Sequence, residues 1–180
     1  MTAFPDSVAL GPAALAAGAA DNPAVPVLIE KLAAYEVTDN REFVAALRQN
    51  IRTADDQGRA AIEAALLAVL NSDKATLAGR QAAGDLLREV AGKASVPVLA
   101  GLLLDEKLSH TARTVLEATA ASEAIAALSE ALPRAKGRIR VGIFDSLSRR
   151  GGAKAVDRLP PQLLKEIEEE ARRQRKPKPR

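Results

Sequence analysis

The sequence contains no cysteine and no tryptophan, and it has one histidine, His110. Without cysteine there is no disulfide, no thiolate metal ligand and no thiol nucleophile. A lone imidazole cannot build the usual zinc or di-iron centre, which draws on several. Aromatic side chains are almost as scarce: Phe4, Tyr35, Phe43 and Phe144 complete the set. That scarcity argues against an all-β core, which favours β-branched and aromatic residues. No uncharged apolar run reaches the roughly 18 residues that span a bilayer, so no membrane partner is expected. A Walker loop, a dinucleotide-binding glycine fingerprint, an Asp-x-Asp-x-Asp calcium loop and a Gly-x-Ser-x-Gly nucleophile elbow are all missing. The expectation is a chain that is not an enzyme, with no catalytic residue, no cofactor and no metal.

What the chain has instead is 38 Ala and 23 Leu among 180 residues, two of the strongest helix formers. Such a length suits one domain or a short array of repeats. The sequence divides into a poorly patterned segment over 1–22, a helical region over 23–174 and a basic tail over 175–180. The tail, RKPKPR, is expected to be disordered, because two prolines and four cations in six residues cannot build a core. Ser7 to Ala20 carries no charge and ends in Ala-Ala-Gly-Ala-Ala, which faintly resembles a secretory cleavage region. Asp6 precedes it, the first Lys or Arg is Lys31, and Gly11-Pro12 breaks the run, so the basic start of an export signal is absent. A cytoplasmic location is the expectation, with export left open.

Internal repetition organises the rest. Ala24-Val25-Pro26-Val27-Leu28 recurs as Ser95-Val96-Pro97-Val98-Leu99, and more loosely from Ala61, Ala124 and Ala155. The second positions, 25, 62, 96, 125 and 156, are spaced by 37, 34, 29 and 31 residues, the length of a helix pair with two short turns. Each step splits into two amphipathic halves. The spacing predicts helices over Pro23–Tyr35, Asn40–Arg52 (through an Asp39/Glu42 capping box), from Asp55-Asp56, and from a Ser72 cap to Ala91. Further helices are expected from a Ser95 cap with Pro97 in the first turn, over Ser109–Ala118, from a Ser122 cap to Pro133, from the Lys136-Gly137 turn to Gly151-Gly152, and over Gln162–Gln174. The acid pairs Asp55-Asp56 and Asp105-Glu106 sit where helix starts favour negative charge, so capping accounts for them better than cation binding. His110, with no nucleophile and no clear orienting carboxylate, reads as a turn residue packed on the next repeat.

Charge is distributed unevenly. Residues 1–133 hold 11 Lys+Arg against 17 Asp+Glu, and residues 134–180 hold 15 against 6, giving −6 and +9. The basic third could attract an acidic protein or nucleic-acid phosphates, although base-stacking aromatics do not interleave with it.

These stretches resemble a known family. Ala75-Thr-Leu-Ala-Gly-Arg-Gln81, Ser95-Val-Pro-Val-Leu-Ala-Gly-Leu-Leu-Leu104, Leu108-Ser-His-Thr-Ala-Arg-Thr-Val-Leu-Glu117 and Gly137-Arg-Ile-Arg-Val-Gly-Ile-Phe-Asp-Ser-Leu-Ser148 look like bacterial HEAT repeats of the kind grouped with phycobilin-lyase HEAT-like repeats. The likeness covers residues 56–159 well and 23–53 loosely. It implies an all-α fold: an α-solenoid, a right-handed superhelix of about four to five stacked antiparallel helix pairs. It also implies a non-catalytic scaffold that offers a curved surface to a protein partner, with the polar positions of the second helices exposed: Arg80, Asp85, Arg88, Arg113, Glu117, Arg138, Arg140 and Asp145. The alternative is a nucleic-acid-binding HEAT-like protein, including a DNA-glycosylase-like fold, working through the basic C-terminal third. Glycosylases of that fold use tryptophan around the lesion, which this chain lacks.

Overall fold

The computed structural model describes residues 24–175, which form nine α-helices and no strand. We number them α1 (Ala24–Ala33), α2 (Glu42–Thr53), α3 (Asp56–Asn71), α4 (Leu77–Val90), α5 (Val96–Leu102), α6 (Ser109–Ala118), α7 (Glu123–Ala131), α8 (Gly137–Val156) and α9 (Pro161–Arg175). Single 3-10 turns, Lys93–Ser95 and Leu132–Arg134, lead into α5 and out of α7. The expectations for residues 1–22 and 176–180, including the export pattern and the disordered tail, lie outside the described residues; Arg175 closes α9.

Packing follows the order of the chain. Consecutive helices pair as α1 with α2, α3 with α4, α5 with α6 and α7 with α8. Second members then meet one another, α2 on α4, α4 on α6 and α6 on α8. First members meet as α1 on α3 and α5 on α7, while α3 touches the 3-10 turn before α5; α9 lies against α8. One apolar core runs through all of them, with Leu32, Leu47, Leu66, Leu70, Leu86, Leu87, Leu99, Leu116 and Leu128 fully buried. These are the helical-spacing positions that amphipathic helices turn inward. Truncating any one of them to Ala would cost about 2–5 kcal/mol.

Neighbouring helices come close where side chains vanish. Gly79 leaves room for the Leu32 carbonyl, which would lie 2.3 Å from an added Cβ. Thr76 fastens the same joint: its N–H donates to the Ala33 carbonyl at 2.9 Å, and its hydroxyl donates to the Tyr35 carbonyl. The Thr76 Oγ1 also accepts from the Gly79 N–H at 2.9 Å, so one side chain caps α4 and ties it to the end of α1.

That cap corrects the expected start at Ser72. Ser72 instead ends α3, with its N–H on the Val69 carbonyl at 3.2 Å, and α4 begins five residues later behind Thr76. The Asp39/Glu42 capping box is also replaced: Asn40 Oδ1 accepts from the Glu42 N–H at 2.9 Å, and Asp39 turns back to the Glu36 N–H at 2.8 Å. Ser95 does not cap α5; it is buried and donates its hydroxyl to Glu63 Oε1 at 2.5 Å. Ser122 makes no cap bond either, its hydroxyl lying 3.3 Å from Glu123 Oε2. Asp55 behaves as a helix start requires, accepting from the Gly58 N–H at 2.8 Å, whereas Asp105 does not cap α6: it accepts at 2.8 Å from the N–H groups of Lys107 and Leu108 in the turn before that helix. The regular helix breaks at Gly151-Gly152 as expected: Gly152 (φ 59°) leaves the helical conformation, which glycine tolerates, and a further short helical stretch runs on to Val156.

Candidate interaction surface

The second helices bury one stripe and leave the opposite one exposed. On α4 the inward Ala82, Ala83, Leu86 and Leu87 leave Asp85, Arg88 and Glu89 outside; on α6 the inward Ala112, Val115 and Leu116 leave His110, Arg113 and Glu117 toward solvent. Ile143 and Leu147 of α8 likewise set Asp145 and Arg149 outward. Because α2, α4, α6 and α8 touch in that order, these polar residues form one charged flank.

Ion pairs join the helices across it. Arg48 of α2 donates through Nε to Glu89 of α4. The pair lies in an open cleft of 470 Å³ lined by Arg48, Asp85, Arg88, Glu89 and Ala118. Glu117, beside Ala118, is the centre of the next cluster. Its Oε1 accepts from Arg149 Nη1 at 3.2 Å, and its Oε2 accepts from the buried Ser146 hydroxyl at 3.0 Å. Ser146 in turn accepts from Arg113 Nη1 at 3.1 Å, while Arg113 Nη2 meets His110 Nδ1 at 2.8 Å. Burial pushes the Arg113 guanidinium below the usual arginine range; Glu117 and Asp145 oppose that shift, and Arg149 adds to it.

Five of the eight residues expected on a partner-facing surface stand together here: Asp85, Arg88, Arg113, Glu117 and Asp145. Arg138 is exposed at the start of α8, apart from the cluster. Arg80 is half-buried and caps α3 through Nε on the Leu70 carbonyl at 2.8 Å, with Asp73 at 3.7 Å. Arg140 is the plain correction, being only 6 % exposed. Its Nε donates to the Ala135 carbonyl at 2.6 Å and its Nη1 to Glu166 at 2.8 Å, with Glu170 at 3.6 Å, so it anchors α9 onto α8. On the helical repeat Arg140 falls three residues before buried Ile143, a spacing that marks an inward position.

Sequence reasoning missed Arg48, Glu89, Ser146 and Arg149 as members of the surface. Arg48 and Glu89 are 41 residues apart, so only the register between helices brings them together. It also missed how many cations serve the fold. Arg59 donates to the Ile51 and Glu89 carbonyls at 2.7 and 2.9 Å, and Arg150 to the Glu117 and Ala121 carbonyls at 3.1 and 2.8 Å. The Ile51, Glu89 and Glu117 carbonyls lie in last turns, where helices leave such groups without helical partners, and Ala121 lies in the turn before α7.

His110 is exposed in the first turn of α6, where its ring faces Arg113 rather than the next hairpin's core. Among the described residues no group of three or more His, Asp or Glu side chains could hold a metal ion, and no helix is long and apolar enough to cross a membrane. No family model matches the chain, and no curated protein and no solved structure matches it.

Proposed function

We propose that this chain is a HEAT-like α-solenoid, a right-handed stack of four to five helix pairs, that acts as a non-catalytic scaffold for a protein partner. Helix packing in chain order supports the solenoid reading. The observation that carries the functional reading is the continuous flank of alternating charge on the second helices, from Arg48 and Glu89 through Asp85 and Arg88 to Glu117, Arg113 and Arg149. Mixed charge of both signs suits a protein surface of matching pattern better than a uniformly anionic nucleic acid. A row of fixed charges also sets register and rejects mismatched partners.

The test compares capture of protein partners by the full chain, by a chain carrying Asp85→Arg and Arg88→Glu, and by a chain lacking residues 175–180. Both substituted side chains are exposed. Charge reversal on the flank is expected to abolish capture at moderate salt, and removal of the tail to leave it intact. The nucleic-acid reading requires the reverse: affinity for nucleic acid that falls steeply between about 50 and 200 mM salt and weakens when the tail is removed.

A further inference from the structure

His110 is the one histidine of the chain, and it stands exposed at the edge of the charged flank. Its Nδ1 lies 2.8 Å from Arg113 Nη2. A guanidinium carries N–H donors and no acceptor, so Arg113 can only donate. His110 Nδ1 is therefore the acceptor, a role open to it only while the ring is neutral and holds its proton on Nε2. A proton on Nδ1 takes up the lone pair that makes the bond and sets two cations against each other.

The two sides of this contact are not equally free to move. The Arg113 guanidinium is lodged over Gly142 of α8, where an added Cβ would come within 2.8 Å of Nε, and its Nη1 donates to the buried Ser146 hydroxyl at 3.1 Å. His110 makes no other hydrogen bond or ion pair among the described residues. When the contact breaks, the ring is the partner that leaves, and the Nη2 edge of Arg113 is uncovered.

The surrounding charges are balanced. Nearest the guanidinium are Glu117 of its own helix and Asp145 and Arg149 of α8, so two cations face two carboxylates. On the other side Thr111 packs on Gly84 of α4, which sets Asp85, Arg88 and Glu89 outward. Helix α5 carries no charged residue, and α7 has Glu123 and Glu130 beside the hollow it shares with α5. The turn before α6 holds Asp105, engaged by backbone N–H groups, and the exposed Glu106 and Lys107; Arg138 is exposed at the start of α8. Histidine is the side chain that ordinarily changes charge between about pH 5 and 8, a window through which carboxylates, lysine and arginine ordinarily keep theirs. Within this set that description fits His110 alone.

We propose that His110 is a proton-operated catch on Arg113. The neutral ring covers the Nη2 edge of the guanidinium; the protonated ring swings into solvent and leaves that edge open, with one more positive charge beside it. As a structural switch the catch stands on the His110–Arg113 geometry. As regulation of docking it rests on the flank being the partner-binding surface, and there it makes acid the condition under which Arg113 can receive a partner's carboxylate.

The experiment is an NMR titration of the full chain from about pH 8 to about pH 5. It follows the ring nitrogens of His110 and the guanidinium protons of Arg113, with those of Arg59, bound to the Ile51 and Glu89 carbonyls, as the internal reference. At the upper end the ring should carry its proton on Nε2. As it titrates, the Arg113 Nη2 protons should shift with the same midpoint and exchange with water about fivefold faster relative to Arg59, the loss expected for one hydrogen bond. His110→Gln offers an acceptor that does not titrate and should hold the Arg113 signals flat across the range. His110→Ala should give the faster relative exchange at every pH. The substituted position is exposed, and circular dichroism confirms that both variants fold. An Arg113 signal that ignores the ring's titration would overturn the proposal. So would a proton on Nδ1 at the upper end, or the same Arg113 response in both variants. The chain with Asp85→Arg and Arg88→Glu leaves His110 and Arg113 in place, so the catch and the flank fail separately.

Discussion

Gly84 of α4 and Thr111 of α6 meet so closely that a Cβ on the glycine would lie 2.0 Å from the threonine Cγ2. The Thr111 Cβ itself stands at an ordinary 3.5 Å, so the single methyl group decides the spacing of the two helices. Gly84→Ala should therefore force the helices apart and cost about 1–3 kcal/mol, as overpacked cores do. Adding Thr111→Ser, which removes that methyl and keeps the hydroxyl, should recover most of the loss. Urea denaturation of the two single variants and the double variant checks this; a strictly additive cycle would show that the close contact is not the cause.

Thr76 offers a second test. Thr76→Val keeps the shape and removes both hydroxyl bonds, to Tyr35 and from Gly79. The expected cost is about 1–3 kcal/mol, from a lost cap and a stranded carbonyl. Hydrogen exchange should locate the loosening in α1 and α2, whereas Thr76→Ser should behave nearly as the parent.

Arg140 is the link between α8 and α9. Arg140→Ala leaves the Ala135 carbonyl and the partly buried Glu170 without their cation. Removing one partner of such a pair costs about 3–5 kcal/mol when burial is deep, and less here because Glu166 is half exposed. Limited proteolysis should then cut first between α8 and α9, near Leu159 and Pro160, and an unchanged cleavage pattern would refute the anchoring role.

The Lys93–Glu123 pair, which joins the turn before α5 to the start of α7, predicts a pH response. The hydrogen bond from Lys93 holds the Glu123 carboxyl below the usual carboxylate range, and the Glu123 carboxylate raises Lys93. A depressed carboxyl contributes stability above its unfolded pKa and loses it as pH falls through the folded one. The pair should thus be intact at neutral pH and open only below the ordinary glutamate range. Carbon-detected NMR titration of Glu123 should show the depression, and Lys93→Met should abolish it.

Helix content and pairing were legible because alanine, leucine and their spacing act within one helix. Ile62, Leu66, Val69 and Leu70 recur at helical spacing along α3 and are buried. Caps were less legible. Ser72, Ser95 and Ser122 have the right side chains for a helix start, but Ser95 met the Glu63 carboxylate from another helix, and Thr76 supplied a bond to Tyr35 that Ser72 could not reach. Leu77 shows another limit: as the first residue of α4 it is 42 % exposed, although Ala83, Leu86 and Leu87 of the same helix are buried. Half of the candidate surface was readable as outward polar positions. The other half depended on contacts such as Arg48 with Glu89 and Arg149 with Glu117, which the register between hairpins creates and no local pattern announces.

The arginines that grip helix-end carbonyls carry a further implication. Arg59 and Arg150 bind backbone oxygens, whereas the links through Glu89, Glu117 and Glu166 join partly exposed charges of opposite sign. Salt should therefore screen the outer ionic lattice first and leave the seams between hairpins closed, so the protein would shed its surface pattern before it loses its shape.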